Sequence, residues 1–138
     1  MKKLLLTVVL SLFGVLSFAQ IEGKWKTIDD ETKQAKSIVE IYKKGNQYYG
    51  KISQLLAKPA NPNCIECKDD RKNKPLVGLE IIRGLEKDGD EFTGGTITDP
   101  KTGKTYKCTI TRKGDLLNVR GYVGISLMGR TQTWQKVN

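Results

Sequence analysis

The chain has 138 residues, a formal net charge of +9 and no histidine. This length is enough for one domain with a hydrophobic core, and the absence of histidine removes most metal and acid–base chemistry. Lysine and arginine are spread over nearly every segment rather than clustered beside exposed aromatic residues, so we expect no nucleic-acid partner. We interpret the charge as solvated strand faces, with weak contact to an anionic envelope surface as an alternative.

The N-terminus, residues 1–19, is typical of a cleavable signal peptide. A basic start is followed by an apolar run at residues 4–18, and Ser17 and Ala19 supply the small residues that determine cleavage. The run is too short for a membrane span, so we expect no transmembrane segment. Removing its two lysines lowers the formal charge from +9 to +7. The sequence therefore predicts an exported protein, periplasmic or extracellular, with a single β-barrel domain at residues 20–138.

The mature chain reads as short strands separated by turn residues. The strands are predicted at residues 21–28, 36–43, 47–55, 76–85, 91–98, 104–112, 116–123 and 129–137. Alternation is cleanest in the sixth, where Tyr106, Cys108 and Ile110 share one face. Residues 79–82 are also short enough for a helical turn. The spacing predicts an all-β fold, an eight-stranded up-and-down antiparallel barrel with one long irregular loop.

That loop, residues 57–75, holds three of the four prolines and the pair Cys64 and Cys67. Long loops in compact domains are often functional lids. In an oxidising compartment the two cysteines can form a disulfide, cycle as a redox pair or bind a metal. We prefer a structural disulfide, because no helix pattern follows Cys64 and only Cys108 is left as a further soft ligand. Cys108 is interpreted as a buried apolar side chain, with a bond to Cys64 or Cys67 as the alternative.

Barrel closure is predicted from residues of the first and last strands. Gly23 lets a second backbone approach, Trp25 faces inward, and Arg130 is expected to lie across the indole. This combination resembles the signature of the calycin superfamily, which contains the lipocalins and the fatty-acid-binding proteins. Almost no chain precedes Gly23, so the usual N-terminal plug of a lipocalin barrel is expected to be missing or minimal.

A more specific resemblance runs along nearly the whole mature chain. The residues are similar to a family of secreted bacterial domains named domain of unknown function 2147. The matching segments are Lys36-Ser37-Ile38-Val39-Glu40-Ile41-Tyr42, Tyr49-Gly50-Lys51-Ile52, Pro75-Leu76-Val77-Gly78-Leu79, Asp99-Pro100-Lys101-Thr102-Gly103-Lys104-Thr105-Tyr106, Val119-Arg120-Gly121-Tyr122 and Gly129-Arg130-Thr131-Gln132-Thr133-Trp134. The resemblance implies an exported domain with a lipocalin-like barrel and no assigned activity, and it gives no role for the cysteine pair.

An eight-stranded barrel is wide enough either to fill with side chains or to hold one small ligand. Inward-facing residues that are candidates for lining an apolar pocket are Tyr48, Ile52, Phe92, Tyr106, Ile110 and Val119. The apolar segment at residues 121–129 is interpreted as core under a bend, with an exposed hydrophobic rim as the alternative.

No nucleophile–base pair, phosphate loop or calcium loop is recognisable, so we predict no catalytic residue, no metal site and no cofactor. Our first hypothesis is a non-enzymatic protein that binds a small, partly apolar ligand at the open end of the barrel, with residues 57–75 as a lid. The alternatives are a thiol–disulfide redox protein using Cys64 and Cys67, and an envelope interaction module with a basic surface.

Overall fold

A computed structural model describes residues 20–124 and 128–138. The predicted signal peptide, residues 1–19, lies outside the described residues, as does the centre of the apolar segment, residues 125–127.

Eight antiparallel strands follow one another in chain order and close into a barrel. They are β1 (Gly23–Ile28), β2 (Ala35–Lys44), β3 (Gln47–Leu55), β4 (Glu80–Asp88), β5 (Glu91–Thr98), β6 (Thr105–Lys113), β7 (Leu116–Tyr122) and β8 (Gly129–Lys136). Closure comes from β8 pairing with β1, where Trp25 lies opposite Lys136 and Lys26 opposite Gln135. The predicted fold class is confirmed, because period-2 alternation of apolar and polar residues leaves one face of each strand buried.

The start of β4 differs from the prediction. Gly78 has a φ of 91°, which breaks the extended backbone, and its N–H donates to the Ile52 carbonyl at 2.6 Å. Leu76 and Leu79 are buried although they precede the strand. Their apolar spacing therefore belongs to a loop that packs on β3, and the strand predicted from residue 76 was too long at this end. The helical turn considered at residues 79–82 is also wrong, since extended β4 begins at Glu80.

The two ends of the barrel differ. The hairpin end carries the tight β2–β3, β4–β5 and β6–β7 connections, and the open end carries the β1–β2, β3–β4, β5–β6 and β7–β8 connections. Large side chains with at most 1% exposure fill the interior towards the hairpin end: Trp25, Leu85, Phe92, Leu117 and Trp134. Burial of this apolar surface is the main favourable contribution to folding.

The β3–β4 connection, residues 56–79, is called the long loop below. Its middle pairs with itself: Asn63 bridges Pro75, and the Cys64 N–H donates to the Lys74 carbonyl at 2.8 Å. Its apolar residues join the barrel core, with Cys64 and Cys67 at 0% and 2% exposure. The long loop is therefore packed on the open end rather than extended into solvent.

Candidate functional site

At the hairpin end, the guanidinium over Trp25 belongs to Arg112 and not to Arg130. The Arg112 guanidinium carbon lies 5.3 Å from the indole centroid, and its Nη1 donates to the Gln20 carbonyl at 2.6 Å. The Trp25 indole N–H donates to the Ile21 carbonyl at 2.8 Å. Arg112 and Trp25 thus hold the residues before β1 against the barrel, where a minimal plug was expected.

The prediction for Arg130 was wrong because of strand register. Trp25 lies opposite Lys136, and Arg130 is six residues further along β8, roughly 20 Å away at a strand rise of about 3.3 Å. Arg130 instead forms an ion pair with Asp30 at the open end. The hydrogen bond from Arg130 lowers the pKa of Asp30. The sequence did contain a signal for Arg112. It lies two residues after Ile110 in β6, so the alternation places both side chains on the inward face.

Five of the six residues predicted to line a pocket lie in the core. Tyr48, Ile52, Phe92, Ile110 and Val119 are at most 8% exposed, and the rings of Tyr48 and Phe92 pack edge to face with centroids 5.0 Å apart. These side chains fill the interior by contacting one another. The sixth residue, Tyr106, is half-buried and lies apart from them, at the open end.

A disulfide joins Cys64 and Cys67, whose Cα atoms are 5.4 Å apart, which confirms the predicted pairing. Cys108 is a free, fully buried thiol, so the alternative bond from Cys108 to the loop is not formed. Burial raises the pKa of the Cys108 thiol to about 12.

We expect Cys108 to be inert to thiol reagents in the folded protein, because it is buried and its thiolate fraction near neutral pH is very small. Titration with a chromogenic disulfide reagent should find no reactive thiol in the native state. In denaturant without reductant it should find one thiol per chain, and after reduction three. Two or more thiols in non-reducing denaturant would contradict the pairing.

The long loop reaches across the open end to the β5–β6 turn. The backbone carbonyl of Glu66 lies so close to Gly103 that a Cβ added there would be 1.8 Å from the oxygen. The Cys64 sulfur also lies 3.6 Å from the Pro100 carbonyl. Only glycine fits at position 103, which has a φ of 74°, so this turn and the disulfide form one unit.

Beside this contact lies an open groove of about 440 Å³. The long loop and the β5–β6 connection provide most of its walls, and Val123, the residue after β7, adds an apolar side chain. Its lining includes the side chains of Cys67, Lys68, Asp69, Arg71, Thr98, Lys104, Thr105, Tyr106 and Val123. We name it the open-end groove.

One wall of the open-end groove is a satisfied ion pair. Arg71 has only 5% of its side chain exposed, donates from Nε to Asp69 at 2.9 Å and from Nη1 to the Glu80 carbonyl at 2.9 Å. The hydrogen bonds from Arg71 hold the pKa of Asp69 well below its usual range. Within residues 20–124 and 128–138, every buried side-chain nitrogen and oxygen has a hydrogen-bond partner. Arg71 thus joins Asp69 of the long loop to the Glu80 carbonyl at the start of β4, and these hydrogen bonds hold the shape of the long loop.

We expect Asp69→Asn to lower the free energy of unfolding by about 1 kcal/mol at pH 7, because Arg71 stays charged and buried without its carboxylate. The expected loss of stability is small because Asp69 is 45% exposed and water screens its ion pair with Arg71. The folded-state pKa of Asp69 is depressed, so its contribution is present above about pH 4 and is lost as the pH falls.

Urea unfolding at pH 7 and pH 3 measures this effect, and the difference between wild type and Asp69→Asn should narrow at pH 3. The exposed Asp90→Asn serves as the control and should change little at either pH. An Asp69→Asn effect that grows as the pH falls would contradict the assignment.

Several residues of the site were not predicted from the sequence. Lys68 and Arg71 follow the cysteine pair, and Lys104 belongs to the segment 99–106 that carried the family resemblance. In the sequence, the feature closest to a signal for this site was Gly103, the glycine of the β5–β6 turn. The interpretation of residues 121–129 as core was wrong at Val123 and Met128, which are 62% and 71% exposed.

Two further properties concern the described part of the chain. In it, no group of three or more His, Cys, Asp or Glu side chains is placed to hold a metal ion. No helix there has the length and hydropathy needed to cross a membrane.

The closed eight-stranded barrel, with its packed hairpin end and a loop across its open end, defines a lipocalin-like fold. The chain belongs to the family described as "Uncharacterized protein conserved in bacteria (DUF2147)", whose sequence model matches residues 23–136. Among solved structures it is similar to protein HP1028 from Helicobacter pylori, which is described as belonging to the lipocalin family. The TM-score is 0.76 at 18% identity, over 87% of this chain and 84% of that one. Comparison with curated proteins gives no match.

Proposed function

We propose that this protein is a non-enzymatic binding protein that holds a small, partly apolar ligand in the open-end groove, under the long loop. The observation that carries the proposal is the groove itself. Its volume of about 440 Å³ falls in the range of small-molecule sites, which are mostly apolar with a few placed polar groups. The Tyr106 ring and Val123 supply apolar surface, and Lys68 and Lys104 supply polar groups.

The fold supports this proposal by analogy. Up-and-down barrels of eight strands commonly bind one small molecule, although a fold alone does not determine a function. The interior of this barrel is occupied by buried side chains, among them Ile52 and Ile110. The proposed ligand therefore lies between the long loop and the open end, where Tyr106 is the one predicted pocket residue that lines the groove.

The chemistry of the groove supports binding rather than catalysis. Thr98 and Thr105 share a hydrogen bond of 2.7 Å between their hydroxyls, so neither is held by a base that could activate it. Asp69 is engaged by Arg71. Thiol–disulfide exchange has less support, because attack on a disulfide needs access and the two loop cysteines are at most 2% exposed.

We further propose that the protein is exported and works in the periplasm or outside the cell. A disulfide between Cys64 and Cys67 is typical of oxidising compartments, and it supports this location together with the sequence pattern at residues 1–19.

The binding proposal is tested by thermal unfolding with a broad panel of small amphiphiles and aromatic compounds. A ligand at a hundredfold excess over its Kd stabilises the folded state by about 2.7 kcal/mol, which corresponds to a rise in Tm of roughly 10 °C for a domain of this size. Val123→Trp should fill the groove and abolish the rise.

Leu116→Trp is the matched control, since Leu116 is an exposed aliphatic residue at the hairpin end. A panel without any stabilising compound would contradict the proposal. So would a ligand whose effect is unchanged by Val123→Trp.

A further inference from the structure

Three of the four charged side chains that line the open-end groove are cations. The side chains of Lys68 and Lys104 have no ion-pair or hydrogen-bond partner among the described residues. The one carboxylate that lines the groove, Asp69, already accepts hydrogen bonds from Arg71. A cationic ligand would thus meet two unpaired ammonium groups and no free carboxylate.

The hydroxyls of the groove have spare donors. In the Thr98–Thr105 pair one hydroxyl donates to the other, which leaves the second hydrogen free to donate elsewhere. The Tyr106 hydroxyl has no hydrogen-bond partner within the described ranges. Its O–H can therefore donate to an acceptor oxygen of a ligand. Ammonium and hydroxyl donors together match an oxyanion, whose oxygens only accept.

The apolar part of the groove lies beside these donors. Val123 is 62% exposed, and the half-buried ring of Tyr106 lies in the same groove. Covering these groups would remove apolar surface from water, which favours binding of an apolar body. The site therefore combines a cationic, donor-rich part with an adjoining apolar part.

We infer that the ligand is an amphipathic anion whose oxyanion headgroup is bound by Lys68 and Lys104 and whose apolar body covers Val123 and Tyr106. This inference rests on the proposed function and specifies the class of ligand for the same groove. The headgroup is a carboxylate or a phosphate-type group, because both present acceptor oxygens and negative charge to the same donors.

Isothermal titration of the purified protein with four probes that share a decyl-length chain tests the inference: decanoate, decyl phosphate, decanol and decyltrimethylammonium. The charged probes are used below their micelle concentrations and decanol below its solubility limit. We expect at least one of the two anions to bind tenfold or more tightly than the alcohol and the cation. Binding should weaken as salt rises, because the two ammonium groups are near the surface.

Lysine variants locate the anion. Lys68→Gln and Lys104→Gln should each weaken anion binding by about tenfold and should weaken decanol binding clearly less, because the alcohol carries no charge. Lys72→Gln and Lys101→Gln are matched controls, because they remove the same charge from the same loop and the same turn but do not line the groove. They should change the Kd by less than twofold.

The outcomes separate this inference from the proposed function. Equal binding of decanol or the cation, or equal effects of all four lysine variants, would overturn the anionic class and leave the binding function in place. Absence of binding by all four probes would also overturn it, whereas the wider panel with Val123→Trp decides the binding function independently.

Discussion

Replacing Trp25 with alanine is expected to lower the free energy of unfolding by about 3–5 kcal/mol. The indole is 1% exposed, donates to the Ile21 carbonyl and lies under the Arg112 guanidinium. The substitution removes buried apolar surface, leaves the Ile21 carbonyl without its indole donor and takes away the aromatic face beneath the Arg112 guanidinium. A small domain has only about 5–15 kcal/mol of stability, so this one change would remove a large part of it.

Urea unfolding followed by far-ultraviolet circular dichroism measures this loss without relying on tryptophan fluorescence. Two arginine variants test the geometry at the same time. Arg112→Ala should destabilise the fold clearly, because Arg112 contacts Trp25 and holds the Gln20 carbonyl. Arg130→Ala should have little effect, since its ion pair with Asp30 is exposed. Equal losses from the two arginine variants would contradict the observed register of β8.

Most of the barrel could be predicted because its strands bury one face. Alternation is a local property, so the bounds of seven strands follow from the sequence to within one or two residues. It failed at Leu76 and Leu79, which are buried by a loop rather than by a strand. Burial at apolar positions is thus readable from the pattern, but the backbone conformation that produces it is not.

The partner of Trp25 could not be predicted with the same certainty, because register between distant strands is set by closure of the whole sheet. The alternation of apolar and polar residues placed both Arg112 and Arg130 on the inward face of their strands. Which of them reaches the indole depends on how β8 pairs with β1. The resemblance to the calycin signature favoured an arginine of the last strand over the Trp25 indole. The closed barrel places Arg112 of β6 over the indole instead.

The open-end groove was the hardest part to predict, because its walls come from separate parts of the chain. Lys68 and Lys104 are 36 residues apart, and in the sequence each is one of many surface charges. They line the same groove only because the long loop folds back across the open end. Whether inward residues such as Ile52 enclose a cavity or fill it depends on three-dimensional packing, which alternation does not encode.

The contact between the long loop and the β5–β6 turn gives the second large expected effect. In Gly103→Ala the new Cβ would lie 1.8 Å from the Glu66 carbonyl oxygen and 2.5 Å from its carbon. Both are backbone atoms, so the turn or the disulfide segment has to move. The φ of 74° adds about 1–2 kcal/mol of strain for a residue with a Cβ, and the clash adds roughly 1–3 kcal/mol.

Gly45→Ala separates the two contributions. Gly45 has a similar φ of 64°, but a Cβ there meets no atom within 4 Å, so only the backbone strain applies. We expect Gly103→Ala to lower the free energy of unfolding by about 2–5 kcal/mol and Gly45→Ala by about 1–2 kcal/mol. Urea unfolding of both variants measures the difference.

A local response of the long loop would also be visible. If the disulfide segment moves away from Gly103 without global unfolding, amide hydrogen exchange should become faster at Cys64, whose N–H donates to the Lys74 carbonyl. The groove wall would be displaced as well, so ligands that stabilise the wild type should bind Gly103→Ala at least tenfold more weakly. If Gly103→Ala matched Gly45→Ala in stability, in amide exchange and in ligand binding, the long loop would not be in contact with this turn.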